Sequence, residues 1–267
     1  MRSMKKLLVV GGGKMGEALV GGLIGAGFAS AGDVVVAEPF EARRAELASR
    51  FPGIVLVAGV ADVDAQVAAA VVAVKPQQVP EVCRALGALA VSRILSIAAG
   101  VRLATMEAEV PTGTAVIRAM PNTPAMVGFG ASAIAGGTAA SEGDLDWAEQ
   151  VLSAVGTVVR VPEAQIDAVT GLSGSGPAYV FLVAEAMIDA GVLVGLTRPV
   201  ATELAVQTLR GAAELLATGT PAAELRANVT SPGGTTAAGL RALESAGVRA
   251  AFADAVVAAA TRSSELG

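Results

Sequence analysis

The chain has 267 residues, with 19 Lys and Arg against 24 Asp and Glu, a formal charge of −5, and only 3 % aromatic residues. An acidic, aromatic-poor chain offers neither a basic field nor a stacking surface, so nucleic acid is not an expected partner. Histidine is absent and cysteine occurs once, at Cys83, which removes the Ser-His-Asp triad, His-ligated zinc, an internal disulfide and any CxxC pair.

Hydrophobic residues reach 53 % and mean hydropathy is +0.62. The excess is largely Ala and Val, and the most apolar stretch, Ala178–Ala190, carries Glu185 and Asp189. Lys5 and Lys6 before Leu7–Val10 imitate a signal peptide, but Lys14 and Glu17 interrupt the apolar region such a peptide needs. A soluble, cytoplasmic chain with no membrane partner is the expectation.

Along the first 100 residues, short apolar runs alternate with amphipathic segments. Lys6–Val10 reads as a strand, followed by Gly11–Gly16 and a helix to about Gly25. Val34–Ala37, Ile54–Val57, Ala70–Val74 and Ile94–Ile97 are further strands, and Glu41–Ser49 is a helix. Strands apolar on both faces, separated by helices, predict a parallel α/β sheet covered on both sides. Ala115–Arg118 and Ala131–Ala135 are expected to extend it. Past Val161-Pro162 the pattern becomes helical: Ala178–Val194, Pro199–Thr218, Thr235–Ala246 and Val248–Leu266, with turns at Gly171–Pro177, Gly195–Pro199, Gly219–Pro221 and Ser231–Thr236. Residues 1–162 are therefore read as a dinucleotide-binding domain and 163–267 as an all-helical domain.

Gly11-Gly12-Gly13-Lys14-Met15-Gly16 satisfies G-x-G-x-x-G between a predicted strand and a predicted helix. In a dinucleotide site Gly11 makes the turn, Gly13 lets backbone amides approach a pyrophosphate, and Gly16 packs helix on strand. The bland alternative is a glycine-rich turn in a chain that holds 32 glycines. Glu38 ends the second strand, where an acid accepts ribose hydroxyls and disfavours a 2′-phosphate, pointing to NADH. Arg43 and Arg44 either reach such a phosphate or form a solvated helix face beside Glu41 and Glu46, the reading preferred on the sequence. Lys75, in Val74-Lys75-Pro76-Gln77, stands where ligands gather at strand ends or is a surface lysine. Ser96–Gly100 admits a flat ring near the backbone or packs tightly on a helix.

Four further segments come in order: Val-Lys-Pro-Gln at 74–77, Arg118-Ala-Met-Pro-Asn-Thr-Pro124, Gly171-Leu-Ser-Gly-Ser-Gly-Pro-Ala-Tyr179 and Ser231-Pro-Gly-Gly-Thr-Thr236. With the glycine turn they resemble Δ1-pyrroline-5-carboxylate reductases over essentially the whole chain. The resemblance implies a Rossmann-like N-terminal domain with a helical dimerisation domain, and reduction of 1-pyrroline-5-carboxylate by NADPH or NADH to L-proline. It implies that Ala73, Val74, Lys75, Pro76, Ala98 and Ala99 line the cofactor cleft beside Gly11, Gly13, Lys14, Met15, Gly16 and Glu38. It places Glu163, Asn228, Ser231, Gly233, Gly234, Thr235 and Thr236 on the substrate, in a homodimer able to assemble further, as far as a decamer.

A cyclic imine that binds as its iminium needs no strong general acid, which suits a histidine-free chain. The two glycines at 233–234 free backbone amides for the substrate carboxylate, and Thr236 is expected to face the ring nitrogen as the catalytic hydroxyl. Ordinary helix capping by Ser or Thr is the competing local reading. Gly171–Tyr179 reads as structural, since Ser173 and Ser175 have no histidine to activate them. Arg118 and Asn122 are either ligand contacts or part of a rigid turn, and Trp147, Met120 and Cys83 are expected in packing roles. A 3-hydroxyacid dehydrogenase would share the layout but needs a lysine on its second domain, and none follows Lys75. A nucleotide-sensing scaffold would have no use for the loop at 231–236.

Overall fold

Eight strands share one sheet in the computed structural model of the chain, which describes residues 4–5, 7–64 and 66–266. They are β1 (Leu7–Val10), β2 (Val34–Ala37), β3 (Val55–Val57), β4 (Ala69–Val72), β5 (Arg93–Ser96), β6 (Ala115–Met120), β7 (Gly130–Gly136) and β8 (Gly156–Arg160). Lys6, expected to begin the first strand, lies outside the described residues. Across the sheet the order is β3-β2-β1-β4-β5-β6-β7-β8. Every pairing is parallel except β6 with β7, so the expected extension of the sheet is present but turns back on itself. The first six strands thus follow the doubly wound order, whose direction reverses between β1 and β4.

Strand alternation explains the two cores. Leu8, Val10, Val35, Ala70, Val72 and Ile94 face one side. There they meet Val79, Cys83 and Leu86 of α3 (Val79–Ala88) and Leu103 and Met106 of α4 (Leu103–Glu107). Leu7, Val9, Val34, Val36, Val71 and Leu95 face the other. That side is covered by α1 (Lys14–Gly25), α2 (Glu41–Arg50) and α5 (Glu142–Ser153). In α1 the buried residues are Gly16, Leu19, Val20 and Leu23, the spacing of one helical stripe. The helix α5 begins with a capping box in which Ser141 and Asp144 satisfy each other's backbone N–H groups.

By packing, the chain falls into two units, Met1–Ser175 with Ala258–Gly267, and Gly176–Val257. Residues 163–175 belong with the sheet because Ile166, in the short helix α6 (Ile166–Val169), is buried against strand residues. The predicted turn at Gly171–Pro177 is instead a π-helical turn over Thr170–Gly174, closed by the Ser175 N–H on the Thr170 carbonyl at 2.8 Å. The Thr170 and Ser173 hydroxyls donate to carbonyls one turn back, which lets these residues stay helical.

The second unit holds α7 (Gly176–Leu193), α8 (Arg198–Ala217), α9 (Ala222–Asn228), α10 (Thr235–Ser245) and the start of α11 (Val248–Leu266). Among its described residues, Ala201 and Ala205 are the buried apolar side chains. Phe181, Leu182, Leu193, Val194, Leu204 and Leu215 are more than half exposed. A helical unit with so little interior cannot supply the burial that a fold of this size needs. Glu163–Leu193 is long and apolar enough to cross a membrane by length and composition.

Candidate active site

The glycine turn follows β1 at the point where the strand order reverses. Gly11 has φ 104°, and a Cβ there would fall on the carbonyl of Ala73 at the end of β4. A Cβ on Gly16 would strike the Gly11 carbonyl, so helix and strand approach only because both residues lack one. Gly13 differs: nothing lies within 4 Å of where its Cβ would sit. No neighbour among the described residues therefore requires glycine at 13, and the residue opens onto the cleft. Gly13 is also the N-cap of α1 and makes no side-chain cap, which leaves the first N–H groups of the helix for an anion. Lys14 is exposed beside it, Met15 packs against the core, and Gly16 is buried.

The cleft itself is ≈ 820 Å³. Its walls include Gly11 and Gly13 from the turn, Glu38 and Phe40 after β2, and Ala73, Val74 and Lys75 after β4. Pro76 begins the single turn that follows Lys75. Ala98 and Ala99 follow β5, one strand further along, and are not among its walls. Ala98 is buried and Ala99 exposed. The size, the helix end and the open Gly13 fit a dinucleotide.

Glu38 is buried, and both its oxygens are engaged. Oε2 accepts from the Gly12 N–H at 2.9 Å and Oε1 from the Phe40 N–H at 3.0 Å. The arginines beyond it are not the solvated face preferred on the sequence. Arg43 folds back over the turn, donating from Nε to the Gly12 carbonyl at 2.7 Å and pairing with Glu17 and Glu46. These carboxylates hold its guanidinium more firmly charged than usual. Arg44 donates to the Glu38 and Pro39 carbonyls, both at 2.8 Å. Phe40, which no sequence motif marked, is 73 % exposed at the cleft. Its only signal was an aromatic residue just past a strand end.

Glu163 lies in the sheet-bearing unit. Its Oε1 accepts from the Leu103 N–H at 2.7 Å and from Arg118 at 3.1 Å. Arg118, on β6, is nearly buried and also faces Asp167, which accepts from the Ser263 hydroxyl at 2.7 Å. Asn122 accepts from the Ala131 N–H and donates to the Ser173 carbonyl, so it ties the β6–β7 connection in place. Arg118 and Asn122 both serve as internal fastenings.

In the helical unit, Asn228 ends α9 and the loop 229–234 leads into α10. Gly233 takes a left-handed turn (φ 72°), and the Gly234 N–H donates to the Ser231 carbonyl at 3.0 Å. The N-cap of α10 is Gly234, with no side-chain cap, so the Ser/Thr capping alternative is not the arrangement adopted. Ser231, Gly233 and Thr235 are exposed, and Gly234 and Thr236 are half-buried. The first turn of α10 thus presents uncapped N–H groups beside three hydroxyl-bearing residues.

The remaining residues fill packing roles. Cys83 is fully buried in α3, and burial, helped by the charge of Glu109, pushes its thiol up to about 11. Trp147 carries the Arg93 guanidinium over its ring at 5.5 Å. Among the described residues no cluster of acids and Cys83 is arranged to hold a metal.

Residues 163–266 match the family described as pyrroline-5-carboxylate reductase dimerisation. Residues 6–100 match the family described as NADP oxidoreductase, coenzyme F420-dependent. A pyrroline-5-carboxylate reductase of Mycobacterium leprae is 44 % identical, over 100 % of this chain and 98 % of that protein. A crystal structure of a pyrroline-5-carboxylate reductase from Coxiella burnetii superposes with a TM-score of 0.91 at 34 % identity, covering 99 % of each chain. The Plasmodium falciparum pyrroline carboxylate reductase with NADP bound gives 0.84 at 28 % identity, covering 99 % of this chain and 100 % of that one.

Proposed function

The chain belongs to the pyrroline-5-carboxylate reductase family, and from that premise we propose how its own residues share the reduction of 1-pyrroline-5-carboxylate to L-proline. It is an NAD(P)H-dependent oxidoreductase acting on a C=N bond. When bound, NAD(P)H supplies the hydride; the protein holds, orients and polarises.

Gly11, Gly13, Lys14, Met15 and Gly16 hold the pyrophosphate at the positive end of α1, with Gly13 leaving the room it needs. Glu38 receives ribose hydroxyls. Ala73, Val74, Lys75 and Pro76 after β4, with Ala98 and Ala99 after β5, border the nicotinamide end.

On the substrate side, the single observation that carries the reading is the uncapped N-terminus of α10. Its amides at Thr235 and Thr236, with the loop glycines Gly233 and Gly234 and the Ser231 hydroxyl around them, hold the substrate carboxylate, with Asn228 alongside. The Thr236 hydroxyl hydrogen-bonds the ring nitrogen and steadies it while the neighbouring carbon is reduced. Glu163, whose Oε1 takes Leu103 and Arg118, is assigned to the substrate side by the family resemblance. The domain boundary of function is 162/163. The chain self-associates through its dimerisation domain. The exposed faces of α7 and α8 are covered by a second copy in a cytoplasmic homodimer, able to assemble further as far as a decamer, and not by lipid or nucleic acid.

The test is imine-dependent oxidation of NADH and NADPH by the wild type and Thr236→Ala. The variant should lose up to about 10²-fold in kcat, the scale of a positioned proton-handling group, with dinucleotide affinity unchanged. Full kcat and KM for the imine in Thr236→Ala contradict the role given to that hydroxyl.

A further inference from the structure

Glu38 and Arg43, both lining the cleft, have fixed partners within the protein. Glu38 stands buried at the end of β2 with its carboxylate turned to the glycine turn. The arginines that follow Glu38 in the sequence are Arg43, which lines the cleft, and Arg44 beside it. Arg43 is held by Glu17, by Glu46 and by the Gly12 carbonyl, and only a quarter of its side chain is exposed. Arg50 adds a second ion pair to Glu17, so that carboxylate is itself anchored from two sides. Arg44 points its guanidinium at the Glu38 and Pro39 carbonyls. Three of the five N–H donors of Arg43 are already taken, two of them by carboxylates that offset its charge, while Glu38 stands as a like charge toward any phosphate.

We propose that the chain is NADH-selective, and that Glu17 sets this selectivity together with Glu38: Glu38 opposes a 2′-phosphate directly, and Glu17 withholds Arg43 from it. The inference rests on the reading of the cleft as the dinucleotide site. Glu17 is therefore a positioning residue, acting through Arg43. It lies in the first turn of α1, one turn past Gly13.

Equilibrium binding of NADH and NADPH to the whole protein, without imine, tests this directly. The wild type should bind NADH about tenfold or more tightly than NADPH, a difference of roughly 1.4 kcal/mol. Glu38→Gln, which retains an acceptor for one N–H, and Glu17→Gln, which removes one of the two carboxylates holding Arg43, should each narrow the ratio by strengthening NADPH binding. Equal or tighter NADPH binding by the wild type overturns the proposal, as does an unchanged ratio in both variants. Should one variant fail to fold, the wild-type ratio and the other variant decide. Binding of neither dinucleotide overturns the cleft reading together with this one. The expected ratio without imine turnover overturns the functional reading and leaves the selectivity standing.

Discussion

The Glu38 carboxylate accepts a hydrogen bond from the Gly12 N–H across 2.9 Å, joining the end of β2 to the turn that follows β1. The same side chain holds the Phe40 N–H at 3.0 Å, so one buried acid sets the shape of two neighbouring connections. The glycine turn is thus a rigid element whose residues have separable duties.

That separation can be measured. Gly13→Ala should leave thermal stability close to wild type, because its new Cβ meets nothing, yet should weaken dinucleotide binding by about tenfold or more. Gly16→Ala should destabilise by roughly 1–3 kcal/mol, because its Cβ meets the Gly11 carbonyl. Denaturation and nucleotide titration of the two variants check the contrast; a Gly13→Ala protein with undiminished affinity contradicts it.

Arg118 joins β6 to Glu163 and Asp167 from a nearly buried position. Removing one partner of such a cluster leaves charge without compensation. Arg118→Met should therefore cost about 1–3 kcal/mol, because the two carboxylates it leaves are partly solvated, and Glu163→Gln less, since an amide oxygen still serves the Leu103 N–H. Urea denaturation of both variants and the double variant gives the coupling. Independent, additive losses would show that the pair is not the source.

The Cys83 thiol, raised to about 11 from its ordinary value of 9.0, gives a signed pH dependence. The folded chain keeps this proton where the unfolded chain releases it. Its contribution is complete below pH 9.0 and is lost as pH rises toward about 11. Unfolding free energy should fall across that window more steeply in the wild type than in Cys83→Ala. Native protein at neutral pH should also resist thiol reagents that label the denatured chain. Identical slopes contradict the assignment.

The nearly coreless helical unit makes stability depend on association. The melting temperature should rise with protein concentration, and dissociation seen by sedimentation should coincide with loss of helical signal. A folded, active monomer at working concentration contradicts this.

Much of the sheet was legible because parallel strands buried on both faces read as unbroken apolar runs: Val34–Ala37 is observed at the predicted residues, and the runs around Leu95 and Val71 shift by one or two. The helix α5 carries a sequence sign of its own, the capping box at Ser141–Asp144, although no apolar period drew it out. The strand β8 gave less sign, because Thr157, Val159 and Arg160 are exposed and alternate weakly. At the site, the spacing of Gly11, Gly13 and Gly16 exposed the turn. Arg43 could not be placed this way: whether an arginine in a helix beside two glutamates faces water or folds over a turn depends on Glu17, remote in sequence and adjacent in space.

Main-chain donors opening α10 are the proposed seat of the substrate's acid group, and a crystal structure of the protein with bound dinucleotide and L-proline tests this most directly. The proline carboxylate should lie within about 3 Å of the N–H groups of Thr235 and Thr236, with the Thr236 hydroxyl facing the ring nitrogen. A carboxylate lodged instead on Arg118 or Lys75, with the α10 amides left to water, would contradict it.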